Sequence, residues 1–168
     1  AGRQRRHKQD LAEVLSGSRK VATPYELTFL DPVPWRSLCE EFLEASDVKE
    51  FKNAIESDYF FEMFIDELPM WGYIGEVAHE EFLLGQSIQG SRVYLYPHLH
   101  FSIGYNGQHI VSANVTTDTK RRVDITDDSI GQEVVFSYSV EWVNTPNVKH
   151  SDRMKRYADS TFLPSTFE

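Results

Sequence analysis

The chain is short of what several common chemistries need. It has one cysteine, Cys39, among 168 residues, so no disulfide closes within it and no cysteine-built zinc site forms from it alone. Cations are in deficit, with 17 Lys and Arg against 26 Asp and Glu. The net charge of −9 argues against sequence-independent nucleic-acid binding, which needs cations to displace counterions. No run approaches the ~18 consecutive apolar residues of a membrane-spanning helix. The polar, basic start, with Arg3, Arg5, Arg6 and Lys8, predicts a flexible segment over residues 1–10 and no signal peptide in this chain. There is no Gly-x-Ser-x-Gly, no phosphate-cradling glycine loop, no internal repeat and no low-complexity tract.

What is present points to β-structure. Aromatics reach 13%, and aromatic and β-branched residues suit pleated, half-buried surfaces. One helix is predicted at about residues 47–58, with Ser46 as its cap and Val48, Phe51 and Ile55 as its apolar stripe. A shorter helical turn is expected at Asp10–Leu15. Strands are expected at Tyr25–Leu30 and Leu38–Leu43, separated by Asp31-Pro32-Val33-Pro34, and at Phe60–Ile65 and Met70–Val77, separated by Asp66-Glu67-Leu68-Pro69. Val134–Val143 alternates, with Val134, Phe136, Tyr138, Val140 and Trp142 on one face. Residues 117–133 read as a loop or a short edge strand. Ten acids stand against two lysines between residues 40 and 67, which reads as a solvated face.

Arg92–Thr116 reads as a hairpin marked by Asn106-Gly107. A two-residue turn there pairs Tyr105 with Gln108 and sets the two apolar faces against each other. A three-residue loop, with Gly107 left-handed, pairs Phe101 with Val111 and Leu99 with Ala113 and brings the faces together. In that register His98 lies opposite Asn114 and His100 opposite Ser112, on a polar, solvent-facing surface. Two histidines fall short of a closed zinc site, so no metal is expected. Asp66-Glu67 reads as a turn facing water before it reads as an acid–base pair. Asn114-Val115-Thr116 is an N-glycosylation acceptor, with Asn114 on the polar face. Trp71 has two readings: a packing anchor in the space left by Gly72 and Gly75, which the sequence favours, or an exposed aromatic at a partner surface.

The run Asp58–Gly75, DYFFEMFIDELPMWGYIG, closely resembles the signature segment of the nonaspanin (transmembrane-nine) superfamily. Other blocks follow in family order: LAEVLSGSR (Leu11–Arg19, with Ala12 for the usual Gly and Ser18 for the usual Asp), Tyr25–Leu30 with Leu38-Cys39, His98–Asp118, and Phe136–Tyr157. The last residues, TFLPSTFE, are similar to those before the family's first membrane span. The resemblance implies a single lumenal β-rich domain over residues 11–168, ending just before that span. It implies that Cys39 pairs with a cysteine outside this chain. It implies the lumenal or extracellular side of Golgi and endosomal membranes, with the cell surface as a further location. It also implies a role in sorting other membrane proteins, with links to adhesion and phagocytosis. The implied partners are membrane-protein cargo and the protein's own membrane spans. The pattern carries no catalytic residues, so no enzyme activity and no cofactor are expected.

The fold expected is mainly β: an antiparallel sandwich with the helix at an end or edge, a single curved sheet being the alternative. The second functional reading is a β-sandwich module for a small ligand, glycan or lipid headgroup.

Overall fold

The computed structural model describes residues 22–79 and 90–158. The basic segment 1–10 and the turn expected at Asp10–Leu15 lie outside the described residues. The elements run β1 (Val33–Leu43), α1 (Ala45–Glu56), β2 (Phe60–Ile65), β3 (Leu68–Tyr73), β4 (Gly75–His79), β5 (Ser91–Leu95), β6 (His98–Asn106), β7 (His109–Thr117), β8 (Val123–Asp124), β9 (Gln132–Asn144) and the short helix α2 (Lys155–Ala158).

The architecture is mainly β. A four-stranded sheet in the order β1-β9-β6-β7 forms one layer. Its pairs are antiparallel except the central one, where β6 and β9 run parallel. Against one face lie the β2–β3 hairpin, α1 and the three-stranded sheet β4-β5-β8. Beneath the hairpin the core holds Leu68, Met70, Leu99, Phe101, Ile103, Val115, Tyr138 and Val140. Beneath α1 it holds Leu43, Val48, Ile55, Val93, Leu95, Ile125 and Val134. Val134 and Val140 lie on the same face of β9, so the two clusters share one side of the sheet.

Four expectations are corrected. The helix sits two residues earlier than predicted because its cap is Glu44, not Ser46. Asp47 reaches back to accept the Glu44 N–H at 3.0 Å, which satisfies a donor left over at the helix start. The expected stripe still faces inward: Val48 and Ile55 are buried and Phe51 packs against them.

Tyr25–Leu30 is not a strand. Tyr25 instead stands edge-on to Phe101 and Tyr138, at ring separations of 5.1 and 5.4 Å. β1 starts at Val33 and includes Pro34. It is the outermost strand of its sheet, where a missing N–H is tolerated.

Met70–Val77 divides at Ile74. The residues before it pair with β2 and those after it pair with β5.

The β6–β7 register is displaced from the expected one. Phe101 pairs with Val115, Ile103 with Ala113 and Leu99 with Thr117. The turn is two residues, Gly107-Gln108, and Gly107 has φ of +61°, as a hairpin turn with glycine first requires. Tyr105 pairs with Ile110 and Gly104 with Ser112, leaving Val111 as a bulge. The bulge, rather than a longer loop, brings the apolar faces of the two strands together.

Candidate functional site: the outer face of the β2–β3 hairpin

The signature segment folds into a two-stranded ribbon. Its pairs are Phe60 with Tyr73, Phe61 with Gly72, Glu62 with Trp71, Met63 with Met70, Phe64 with Pro69 and Ile65 with Leu68. Side chains alternate across a strand, so the ribbon has two compositions. The inner face is Phe61, Met63, Ile65, Leu68 and Met70, all in the core beneath the hairpin. The outer face is Phe60, Glu62, Phe64, Pro69, Trp71 and Tyr73. Phe60, Phe64 and Tyr73 are 40%, 42% and 39% exposed.

Trp71 is therefore not the core anchor the sequence favours. It is half-buried on the outer face, opposite Glu62. The room beside Gly72 belongs to Phe61 across the pair, whose ring would lie 2.9 Å from a Cβ there. The room beside Gly75 is taken by Ile55 and the Tyr94 carbonyl. The glycines serve packing by other residues, which leaves the indole to the surface reading.

The tip is held from outside the ribbon. Asp66 and Glu67 have φ of 46° and 69°, the two left-handed residues of the tight turn whose twist matches a hairpin. Neither is glycine or asparagine, so each carries a steric cost of about 1 kcal/mol or more. Both carboxylates face Arg153, whose side chain is 7% exposed. The guanidinium donates to Asp66 and, at 3.0 Å, to the Ile110 carbonyl, and Glu67 lies 3.6 Å away. Further along, the Tyr157 hydroxyl accepts the Ala113 N–H at 3.3 Å and donates to the Ala113 carbonyl at 3.2 Å. Asp66-Glu67 is thus neither a free turn nor an acid–base pair. It fastens residues 150–158 along β7 beside the hairpin.

The opposite surface of the molecule is built differently. On the side of the four-stranded sheet away from the core, the polar groups of β6 and β9 bond across the parallel pair. Ser137 Oγ lies 2.8 Å from His98 Nδ1, and His98 Nε2 lies 2.9 Å from Ser139 Oγ. Ser139 Oγ lies 2.7 Å from His100 Nδ1, and His100 Nε2 lies 3.4 Å from Glu141. Ser102 donates to Glu141 at 2.7 Å. With both imidazoles protonated on Nε2 alone, every O–H and N–H in this chain points the same way, ending on the carboxylate. Burial, then the nearby Arg121 charge, lowers the His98 pKa from its usual 6.5. The Ser102 hydroxyl, then His100, holds the Glu141 carboxyl below its usual range.

His98 and His100 do share a face, as the strand period requires. Their expected partners are wrong: Asn114 lies opposite Ser102, and His100 opposite Thr116. His98 is buried rather than solvent-facing. Their nitrogens are taken by serines and Glu141, and Ser139 is buried between two imidazoles rather than presented to a substrate. Sequence reasoning missed this seam because β6 and β9 are forty residues apart and parallel. The available signal was the matched two-residue spacing of His98/His100 and Ser137/Ser139. Asn114 is exposed on β7, and the Cys39 thiol is exposed on β1.

A cleft of about 590 Å³ lies by α1, lined by Val48, Arg92, Asp124, Ile125, Thr126 and Ile130 among others. Among its lining residues, Arg92 donates to Asp124 at 2.8 Å, and Asp124 accepts the Thr126 N–H at 2.9 Å.

Comparison with known proteins gives one consistent result. The family model described as endomembrane protein 70 matches residues 1–167. Transmembrane 9 superfamily member 3 of Arabidopsis thaliana is 36% identical over 161 residues, covering 96% of this chain and 26% of the relative. Transmembrane 9 superfamily member 1 of Rattus norvegicus is 33% identical over 168 residues, covering 97% of this chain and 27% of the relative. The chain thus spans about a quarter of the length of these relatives. No solved structure matches it. A family match along nearly the whole chain, with relatives 33–36% identical over almost all of it, places this chain in the endomembrane protein 70 family, the transmembrane 9 superfamily.

Proposed function

We propose that this chain is the lumenal recognition domain of a nine-span membrane protein, and that it helps sort other membrane proteins in the Golgi–endosome system. In this reading it has no catalytic role. The observation that carries the reading is the outer face of the hairpin. Three large aromatics and Trp71 share a surface with one charged residue, Glu62. A contiguous apolar patch on a folded domain marks a contact with protein or membrane, and Trp and Tyr are enriched at such contacts. The alternative, a module for a small ligand, glycan or lipid headgroup, would use the cleft by α1. Arg92 and Asp124 there are paired with each other, so the hairpin supports the stronger reading.

The test is proximity labelling in cells making the full-length protein, with and without this domain, together with the surface abundance of the labelled membrane proteins. The expected result is loss of a set of membrane-protein neighbours from the labelling and loss of those same proteins from the cell surface. Unchanged neighbours and unchanged delivery would overturn the reading.

A further inference from the structure

We infer that Glu62, with Trp71 and Tyr73 beside it, is a seat for an arginine side chain of the protein that contacts the outer face of the hairpin. This rests on the reading above, in which that face meets another protein, and it names the chemistry of the contact.

Glu62 stands among aromatic rings. Trp71 lies directly opposite it, and Phe60 and Tyr73 form the next pair on the same face. Opposed side chains on a ribbon start about 5 Å apart and diagonal ones about 7 Å apart, within reach of aromatic rings. A partner that covers these rings therefore covers the carboxylate too. Asp66 and Glu67 at the tip are taken by Arg153. Glu62 is exposed and has no hydrogen-bond or ion-pair partner among the described residues. A carboxylate taken out of water without a cation is costly, so the occupant that fits this face brings one.

The chain holds one such seat with its arginine in place. On β4 and β5, Glu76 lies directly opposite Tyr94. Tyr96 follows two residues on, its N–H bonded to the Ile74 carbonyl at 2.9 Å. On the hairpin, Glu62 lies opposite Trp71, and Tyr73 follows two residues on. Both antiparallel pairs thus set an acid, an opposed ring and a following tyrosine in the same order. At Glu76, the Arg122 guanidinium donates to the carboxylate and lies 3.9 Å from the Tyr94 ring centroid. Burial, then a hydrogen bond to Glu76, raises the Tyr96 pKa, so that tyrosine serves the same carboxylate. A planar guanidinium can pair with a carboxylate and stack on a ring at once, and an indole is the best ring for it.

The surroundings select a protein cation. Ten acids stand against two lysines between residues 40 and 67, a field that draws positive charge. A choline headgroup carries a phosphate beside its cation, and no residue from Phe60 to Tyr73 is basic to receive it.

The test is photo-crosslinking in the full-length protein in membranes, with p-benzoylphenylalanine at Phe60. The expected product joins the hairpin to a separate polypeptide, at a peptide that contains an arginine. Glu62→Gln should lower the yield about tenfold, as loss of a charge-assisted pair does, while Glu50→Gln on α1 leaves it unchanged. Glu62→Arg should abolish the product, and exchanging the captured arginine for glutamate should restore it, which a misfolded hairpin would not allow. An unchanged yield in Glu62→Gln, an equal fall in Glu50→Gln, a captured peptide without arginine, or no restoration by the paired reversal each overturns the inference and leaves the hairpin a protein contact. A crosslink to lipid alone, or none at all, overturns the inference and the protein-contact reading together.

Discussion

The sheet turns His98, His100, Ser102, Ser137, Ser139 and Glu141 away from the hydrophobic core. The hairpin turns Phe60, Glu62, Phe64, Pro69, Trp71 and Tyr73 away from it. On the sheet, polar groups find partners on the neighbouring strand, and Ser137, Ser139 and His98 are buried with their side chains bonded to one another. On the hairpin, near-40% exposure remains on three aromatic rings. Hydrogen bonds between strands can finish a polar face from within one chain, because each bond has a fixed partner. An apolar face is completed only by area, and a ribbon of six-residue strands has little to give.

The comparison breaks first if the two sides of the hairpin are not different. Leu68 is wholly buried and Trp71 is not. Leu68→Ala should destabilise this chain by about 2–5 kcal/mol, from lost transfer energy and the cavity left behind. Denaturant unfolding with an unchanged slope would measure it. A loss below about 1 kcal/mol would show that the inner face is not anchored.

The polar seam gives the next largest effect. His98→Ala leaves Ser137 and Ser139 without a shared partner, which should cost about 1–3 kcal/mol at pH 7.5. The pH dependence follows from the lowered His98 pKa. Below 6.5 the unfolded imidazole binds protons that the folded one refuses, so the unfolded state holds more protons. Stability contributed by the neutral ring is therefore complete above 6.5 and is lost as pH falls below it. Unfolding curves between pH 7.5 and 5 should show a steeper decline in the unmodified chain than in His98→Ala. Parallel curves would mean that His98 does not titrate with folding.

These two faces were unequally legible in the sequence. The helix stripe, the β2 strand, the β9 alternation and the grouping of Leu99, Phe101 and Ile103 follow from local period, which sequence carries directly. The β6–β7 register does not. It depends on a bulge at Val111, and Asn106-Gly107 marks the hairpin without fixing which two residues form the turn. The place of Trp71 is hidden for a related reason. Where both faces of a strand are apolar, alternation cannot say which is inside. Here the decision lies with Phe61, whose ring occupies the space over Gly72. The Arg153 clasp was invisible because it joins residues 87 apart.

Trp71→Ala then sharpens the hairpin comparison. As an outer-face residue it should cost about 1–2 kcal/mol, below the ~3–5 kcal/mol for a core tryptophan. The check is thermal unfolding of this chain beside Leu68→Ala. A loss as large as that of Leu68→Ala would return Trp71 to the core.

The smallest effect on stability belongs to the sequon, and it tests which face is left to solvent. Asn114 is exposed on β7, opposite Ser102, and Thr116 is exposed opposite His100. A glycan on Asn114 projects from the polar side, away from the hydrophobic core. The same bulk on the hairpin's outer face would block any contact made there. Thr116→Ala removes the acceptor pattern and one exposed hydroxyl, so stability should move by no more than about 0.5 kcal/mol. In a eukaryotic secretory system the unmodified protein should lose one glycan's mobility shift on glycosidase treatment, and Thr116→Ala should match the treated form. A protein that glycosidase leaves unchanged would overturn the assignment. Moving the acceptor to the hairpin, by Tyr73→Asn with Gly75→Thr, fails because Gly75 has no room for a side chain. Phe60→Asn with Glu62→Thr is the workable pair. If the glycosylated Phe60→Asn protein keeps the membrane-protein neighbours of the unmodified protein in proximity labelling, the hairpin face is not the contact, and the contrast between the two surfaces collapses.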